Sequence, residues 1–282
     1  LAIRNKLVRR LDILIYILVL GTVLWVLTSA GSEDANTPEP LPDHFERDGP
    51  MLPNASVFDE RVLVQVDEPQ NGLGTAFAIN RSGDWLTARH VVEGCDRVSI
   101  LVAPQSYVPV ASVRVAETSD LALLSTGRSP RSAALNLGED LRVGEYGFHV
   151  GYPNGRPGEV ASRLLARSRL ISRGERQSDE PVLAWAEVGR TRGLNGALGG
   201  LSGGPVFDAE GRVRGVIVAE SPRRGRIYTA DPNSIRAFLD DVGVETSEPS
   251  RIQPISVSNY GERADLARNS LQVVKVACEV TS

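Results

Sequence analysis

The chain has 282 residues, 41% of them hydrophobic and 23% charged, a balance that excludes a disordered or fibrous protein. Its net charge of −4 offers no global basic field for a nucleic acid, so none is expected as a partner. With 27 glycines, 17 prolines and only 5% aromatics, the composition favours many short strands joined by turns.

In chain order, Arg4, Lys6, Arg9 and Arg10 precede a nearly unbroken apolar run from Leu11 to Ala30. About twenty helical residues cross a bilayer, and a basic flank stays on the cytoplasmic side. Residues 1–30 are therefore expected to be a membrane anchor, with the rest of the chain in the periplasm. A cleaved signal peptide is the alternative, because Thr28-Ser29-Ala30 offers small residues at a cleavage point. Residues 31–56, rich in Pro, Asp, Glu, Asn and Ser, are expected to be a solvated linker.

From Val57 the pattern becomes β. Strands are expected at Arg61–Val66, Gly74–Ile79, Trp85–Ala88, Val98–Ala103, Val108–Val115 and Leu121–Ser125, six before Gly127 and enough for one small barrel. A second set follows at Tyr146–Gly151, Val160–Ile171, Val182–Val188, Gly204–Phe207, Val213–Ala219 and Ile227–Thr229. Asn233–Val242 has the spacing of a short amphipathic helix, with Ile235, Phe238 and Leu239 on one face. Ser247–Pro254 is linker-like, and Ala264–Val280 is expected to be ordered around an apolar run at Val273, Val274, Val276 and Ala277.

The chemistry concentrates at Gly200-Leu201-Ser202-Gly203-Gly204-Pro205. A serine hydroxyl becomes a nucleophile only when a base takes its proton and donors stabilise the oxyanion that forms. Glycines beside it allow a turn on which the amides of Gly200 and Ser202 converge; an ordinary glycine-rich turn is the alternative. A base held by a carboxylate is also needed. Leu86-Thr87-Ala88-Arg89-His90-Val91-Val92 and Ser119-Asp120-Leu121-Ala122-Leu123-Leu124 supply a histidine and an aspartate, in the order His, Asp, Ser. The other histidines, His44 and His149, are read as a linker residue and a structural strand residue. The three are too scattered for a zinc site, and no metal or cofactor is expected.

On these three segments the chain resembles the chymotrypsin-like serine proteases, most closely the bacterial trypsin-like peptidases of the Deg (HtrA) group, over about Val57 to Val244. The resemblance implies His90 as general base, Asp120 as its orienting carboxylate and Ser202 as nucleophile, with oxyanion donors from Gly200 and Ser202. It implies an all-β fold of two six-stranded antiparallel β-barrels with the site between them. Added to the residue reading, this gives a short C-terminal helix and one preceding transmembrane helix. The domains expected are the anchor (1–30), linker (31–56), protease (57–245) and C-terminal extension (246–282), without the peptide-binding PDZ domain that the group usually carries.

The reading is thus a membrane-tethered serine endopeptidase acting on proteins or peptides; an inactive protease fold that binds peptides is the alternative. Two departures stand out. Arg89 replaces a small residue and is expected to rim the cleft, and Leu201 stands where trypsin has the aspartate that pairs with its new N-terminus. By resemblance to trypsin, the pocket for the residue before the scissile bond is expected to involve Gly196, Ala197, Val218, Ala219 and Glu220. With no acid at Gly196 or Ala197, small or medium apolar residues are the expected preference, Glu220 and Arg226 being side chains that would bring a charge if they pointed inward. Finally, Cys95 and Cys278 are the only cysteines, and an oxidising compartment would permit one disulfide between them. Two separately buried thiols are the alternative.

Overall fold

In the computed structural model the described residues are 49–65, 70–103, 105–138, 140–173, 178–247 and 252–281. The expected anchor at Leu11–Ala30 and most of the linker lie outside them. Among the described residues, no helix is long and apolar enough to cross a membrane.

The chain is mostly β. Among the described residues two seven-stranded sheets carry it. The first contains β2 (Gly72–Ala78), β3 (Asp84–Thr87), β4 (Arg97–Ala103), β5 (Ser106–Pro109), β6 (Ser112–Val115), β7 (Ala122–Ser125) and β14 (Val273–Glu279). Its order is β5-β4-β14-β2-β3-β7-β6. The second contains β1 (Glu60–Gln65), β8 (Tyr146–Gly151), β9 (Gly158–Arg173), β10 (Ser178–Arg190), β11 (Pro205–Phe207), β12 (Val213–Ser221) and β13 (Arg226–Ala230). Its order is β1-β9-β10-β13-β12-β11-β8, and β8 also pairs β9, so the ladder returns on itself.

The expectation of two six-stranded barrels therefore needs three corrections. The first expected strand, β1, joins the second sheet, parallel to β9 with Val62 opposite Leu170, and its Val62 and Val64 pack on the core. The single strand expected at Val108–Val115 is two, because β5 pairs β4 while β6 turns away to pair β7. The apolar run near the C-terminus is β14, which lies between β2 and β4 with Val276 opposite both Gly74 and Ile100. Its alternation buries Val274 and Val276 completely, as a strand with neighbours on both edges requires.

Among the described residues there are also two α-helices where one was expected near the C-terminus. α1 (Pro232–Asp241) starts as its sequence dictates: Asp231 caps it by accepting the Asn233 N–H at 2.9 Å, and Pro232 occupies a first-turn position where its missing N–H costs nothing. Ile235, Phe238 and Leu239 face the core. α2 (Tyr260–Asn269) has a weak apolar stripe, which is why periodicity does not reveal it, yet Tyr260, Ala264 and Ala267 are buried. One core cluster runs through both sheets and both helices, joining Phe77 and Leu86 to Phe148, Val216, Phe238 and Tyr260. The indole N–H groups of the two buried tryptophans are satisfied, Trp85 by Thr126 Oγ1 and Trp185 by Thr229 Oγ1, each at 2.9 Å. Cys95 and Cys278 form a disulfide, their Cα atoms 5.4 Å apart across 183 residues of sequence.

Candidate active site

The pairing of β3 with β7 brings the histidine to the aspartate. Thr87 lies opposite Ala122, so the residues just beyond β3 meet those just before β7. There the chain makes a single 3-10 turn, Arg89–Val91, with the Arg89 N–H donating to Asp120 O at 3.2 Å. Asp120 then grips His90 twice. Its Oδ1 accepts the His90 backbone N–H at 2.9 Å, and its Oδ2 lies 2.6 Å from His90 Nδ1. The carboxylate holds the proton on Nδ1 and leaves the Nε2 lone pair free to act as a base.

Burial alone would pull the His90 imidazolium down, but the charge and hydrogen bond of Asp120 outweigh it and leave the pKa raised above 6.5. Burial pushes the Asp120 carboxyl up, and His90 with Arg89 more than reverses that, holding it below the usual range. The imidazole remains reachable, its side chain 31% exposed against 12% for Asp120.

Beneath this pair lies a group that sequence reasoning missed. Glu180, on β10, is 1% exposed and accepts the Asp120 N–H through both carboxyl oxygens at 3.0 Å. Burial and the neighbouring Asp120 charge push its pKa up to about 8. A glutamate in a strand next to a proline gives no sign of this in sequence. Arg89 also differs from expectation. It is buried rather than rimming the cleft, because the Ala116 carbonyl at 3.0 Å and the Glu93 carboxylate at 3.3 Å satisfy its guanidinium.

The serine turn is set against the same strands. Thr75, on β2, donates its N–H to Ser202 O at 2.9 Å and its hydroxyl to Gly200 O at 2.7 Å, while Thr87 Oγ1 donates to Thr75 O at 2.7 Å. Gly203 has φ +84°, and a Cβ there would fall 2.1 Å from Thr75 O and 2.9 Å from Ala88 N, two residues before His90. Only glycine allows the turn to come this close to the histidine-bearing strand. Among the described residues, neither Ser202 Oγ nor His90 Nε2 has a hydrogen-bond partner.

The two expected oxyanion donors are likewise unused among the described residues: Gly200 and Ser202 give their N–H groups to no acceptor, whereas Leu201 between them donates to Leu198 O at 2.9 Å. Peptide planarity orients both. Gly199 O is taken by Asn154 N at 2.5 Å and Leu201 O by Gly204 N at 3.0 Å, so the N–H on each of these peptides points the opposite way. Leu201 itself is 2% exposed in an apolar cluster with Val160, Leu198, Ile217 and Ile227.

Of the expected pocket residues, Gly196 and Ala197 are exposed, Val218 belongs to the core, and Ala219 and Glu220 are half-buried. Glu220 Oε1 accepts the Leu198 N–H at 2.7 Å and Arg190 donates to Gly196 O at 3.0 Å, so the two walls are tied together. Burial raises the Glu220 carboxyl, against the opposing pull of Leu198 N–H and Arg190. Arg223 and Arg224 stand exposed on the β12–β13 turn, Arg224 facing Glu60. His149 is fully buried on β8, with Nε2 2.6 Å from Ser162 Oγ and Trp185 edge-on at 5.6 Å. Among the described residues, no group of His, Cys, Asp and Glu converges in a way that would hold a metal. A cavity of about 330 Å³ lies under α2, lined among others by Phe148, Phe207, Ile255 and Tyr260; none of His90, Asp120 and Ser202 reaches it.

Comparison with known proteins bears on the family and the fold. Residues 74–216 match the trypsin-like peptidase domain. The chain belongs to that family, and its relatives place it with the chymotrypsin-like, Deg/HtrA-related peptidases. It is 26% identical over 285 residues to an uncharacterised protein, y4bJ, of Sinorhizobium fredii, covering 90% of this chain and 42% of that one. It is 29% identical over 192 residues to a probable periplasmic serine endoprotease, DegP-like, of Bartonella henselae, covering 67% and 35% respectively. The chain thus spans less than half the length of these relatives. Among solved structures, the active form of the Rv3671c protease of M. tuberculosis superposes with a TM-score of 0.51 at 17% identity, covering 77% of this chain and 98% of that one. At that identity the likeness concerns the fold.

Proposed function

We propose that the chain is a serine endopeptidase in which Ser202 is the nucleophile, His90 the general base and Asp120 the residue that orients it. The observation that carries this reading is the double grip of Asp120 on His90 beside a serine turn whose flanking amides, Gly200 and Ser202, are left unused. His90 Nε2 takes the proton as Ser202 Oγ attacks the peptide carbonyl carbon. The oxyanion forms against the Gly200 and Ser202 N–H groups, where fixed donors in a partly desolvated site act most strongly. The C–N bond then breaks as His90 returns its proton to the leaving amine, and a water, deprotonated in turn by His90, hydrolyses the ester on Ser202.

The substrates are proteins or peptides held along the half-buried edge at Ala219 and Glu220, with the side chain before the scissile bond lying between Gly196–Ala197 and that edge. The compartment is the periplasm, as named for the DegP-like relatives, and the basic flank with the apolar run Leu11–Ala30 supports a tether to the inner membrane. The Cys95–Cys278 bond fits an oxidising compartment.

Labelling with a serine-reactive fluorophosphonate tests the chemistry. The wild-type chain is expected to label and to hydrolyse a denatured protein, and Ser202→Ala to do neither while keeping its fold. Hydrolysis undiminished in Ser202→Ala would overturn the assignment. A folded wild-type chain that neither labels nor cleaves would leave a peptide-binding module instead.

A further inference from the structure

The loop from Thr191 to Gly200 carries the Gly200 amide, and Arg190 on Gly196 O, Glu220 on Leu198 N and Thr75 on Gly200 O hold it from one side. Gly193, Gly196 and Gly200 have φ of +84°, +76° and +94°, and most of its side chains are exposed. The residue before the serine, Leu201, is apolar and provides no charge to anchor the turn. A second set of contacts holds the loop from the other side.

Both ends of the loop rest on one neighbouring segment, Gly151 to Glu159. At the start, Thr191 N donates to Glu159 O at 3.0 Å, Glu159 N donates to Thr191 Oγ1 at 2.8 Å, and the Thr191 hydroxyl reaches Glu159 Oε1 at 2.9 Å. At the end, Asn154 N donates to Gly199 O at 2.5 Å and Asn154 Nδ2 to Ala197 O at 3.2 Å. That segment is in turn held by one side chain from α2. Arg268 Nη2 pairs with Glu159 Oε2 at 2.7 Å, and Nη1 donates to Gly158 O at 3.2 Å and to Gly151 O at 3.5 Å. The ion pair is deeply buried, with side chains 6% and 1% exposed, and Asp265 completes it at 2.6 Å from Nη2. A buried pair costs desolvation to form, but a partner removed from it leaves an uncompensated charge that the surroundings must rearrange to accommodate.

We infer that Arg268 is a positioning residue for the oxyanion site: through Glu159 and the 151–158 segment, α2 sets the place of the Gly200 amide about which the reaction turns. Arg268 touches neither substrate nor reacting atoms. This rests on the catalytic reading above, and it supplies a fixed ionic anchor for the serine loop in a chain whose Leu201 cannot provide one.

The test combines kinetics with amide hydrogen exchange on the full chain. Arg268→Met is expected to lower kcat by about 100-fold, the cost of displacing one donor by about an ångström, with KM changed less than about threefold. Affinity for a peptide boronate, which needs the oxyanion site, falls in the same proportion. Exchange of the 191–201 amides accelerates while that of β2 and β3 does not. Arg268→Lys, which keeps the charge opposite Glu159, restores part of both. Thr191→Val removes only the hydroxyl link to Glu159 and gives the same pattern more weakly; it decides the matter if Arg268→Met does not fold. Wild-type kcat together with wild-type loop exchange in a folded Arg268→Met overturns the inference, as does a fall in kcat with unchanged exchange. If the wild-type chain proves inactive, the catalytic reading fails, and the exchange measurement still judges the brace.

Discussion

The backbone N–H of Asp120 points at both carboxyl oxygens of Glu180, 3.0 Å from each. The carboxylate that orients His90 is therefore seated on a second, fully buried carboxyl. Asp120, Arg89 and His90 are the charged or titratable groups around it, and its pKa of about 8 means that it keeps its proton near neutrality. In the unfolded chain it would lose that proton near its ordinary pKa of 4.5. The folded state then binds the extra proton, so the stability this group contributes is complete below about pH 4.5 and is lost as pH rises toward 8. Glu180→Gln is expected to remove that slope. Urea unfolding at pH 5, 6.5 and 8 checks it: the wild type should lose on the order of a few kcal/mol relative to the variant across the window, and parallel curves would refute it.

For Asp120 the expected change is in rate and in pH dependence together. In the proposed role of general base His90 would work only when neutral, so its raised pKa would put the acid limb of kcat/KM above pH 6.5, with activity lost as pH falls through it. Asp120→Asn removes the charge that opposes burial, so the acid limb should move down. The rate should fall by about four orders of magnitude as the wrong tautomer forms. A variant with the wild-type limb would show that another group sets it.

Gly203→Ala should be far worse than an ordinary surface substitution. Its Cβ would meet the Thr75 carbonyl oxygen at 2.1 Å, and the residue sits at φ +84°, so the serine turn must shift away from Ala88 and His90. Fluorophosphonate labelling is expected to slow at least about 100-fold, with a lowered unfolding temperature. Labelling at the wild-type rate would mean that the turn adapts.

Cleaving the Cys95–Cys278 bond should destabilise the fold mainly through the unfolded chain. A closure of 183 residues corresponds to about 5 kcal/mol in the chain-entropy description. Cys278→Ser is expected to unfold at markedly lower denaturant, and reductant should have the same effect on the wild type and none on the variant. Equal midpoints with and without reductant would contradict it.

Substrate preference follows from the pocket walls. Gly196 and Ala197 present no charge, and Glu220 spends one carboxyl oxygen on Leu198 N. Cleavage after small or medium apolar residues is expected from a peptide library. A profile dominated by Arg or Lys would show that Glu220 faces the bound side chain, and Glu220→Gln should then abolish that preference.

The candidate site residues were legible because each lies in a short local pattern: a strand end carrying His90, an apolar run opened by Asp120, a glycine turn around Ser202. The alternation of apolar residues likewise announced most strands. What sequence did not reveal is long-range. Nothing local says that β1 pairs with β9 in the other sheet, or that Val273–Glu279 enters between β2 and β4, because strand partners are chosen by tertiary packing. Glu180, Glu159 and Arg268 escaped for a related reason. A charged residue in sequence is most simply a solvated one, and only the fold reveals that these three are buried and satisfied.

The position of β14 also sets a timetable. The sheet that bears His90 and Asp120 has its middle filled by residues made roughly two hundred positions after β2. Translation at about 5–20 residues per second delivers them tens of seconds later at the slower end, and such distant pairing is itself slow to form. Until then β2 and β4 have no common neighbour, and Cys95 has no Cys278 to meet. The sheet that bears His90 and Asp120 is therefore complete only once synthesis has passed β14.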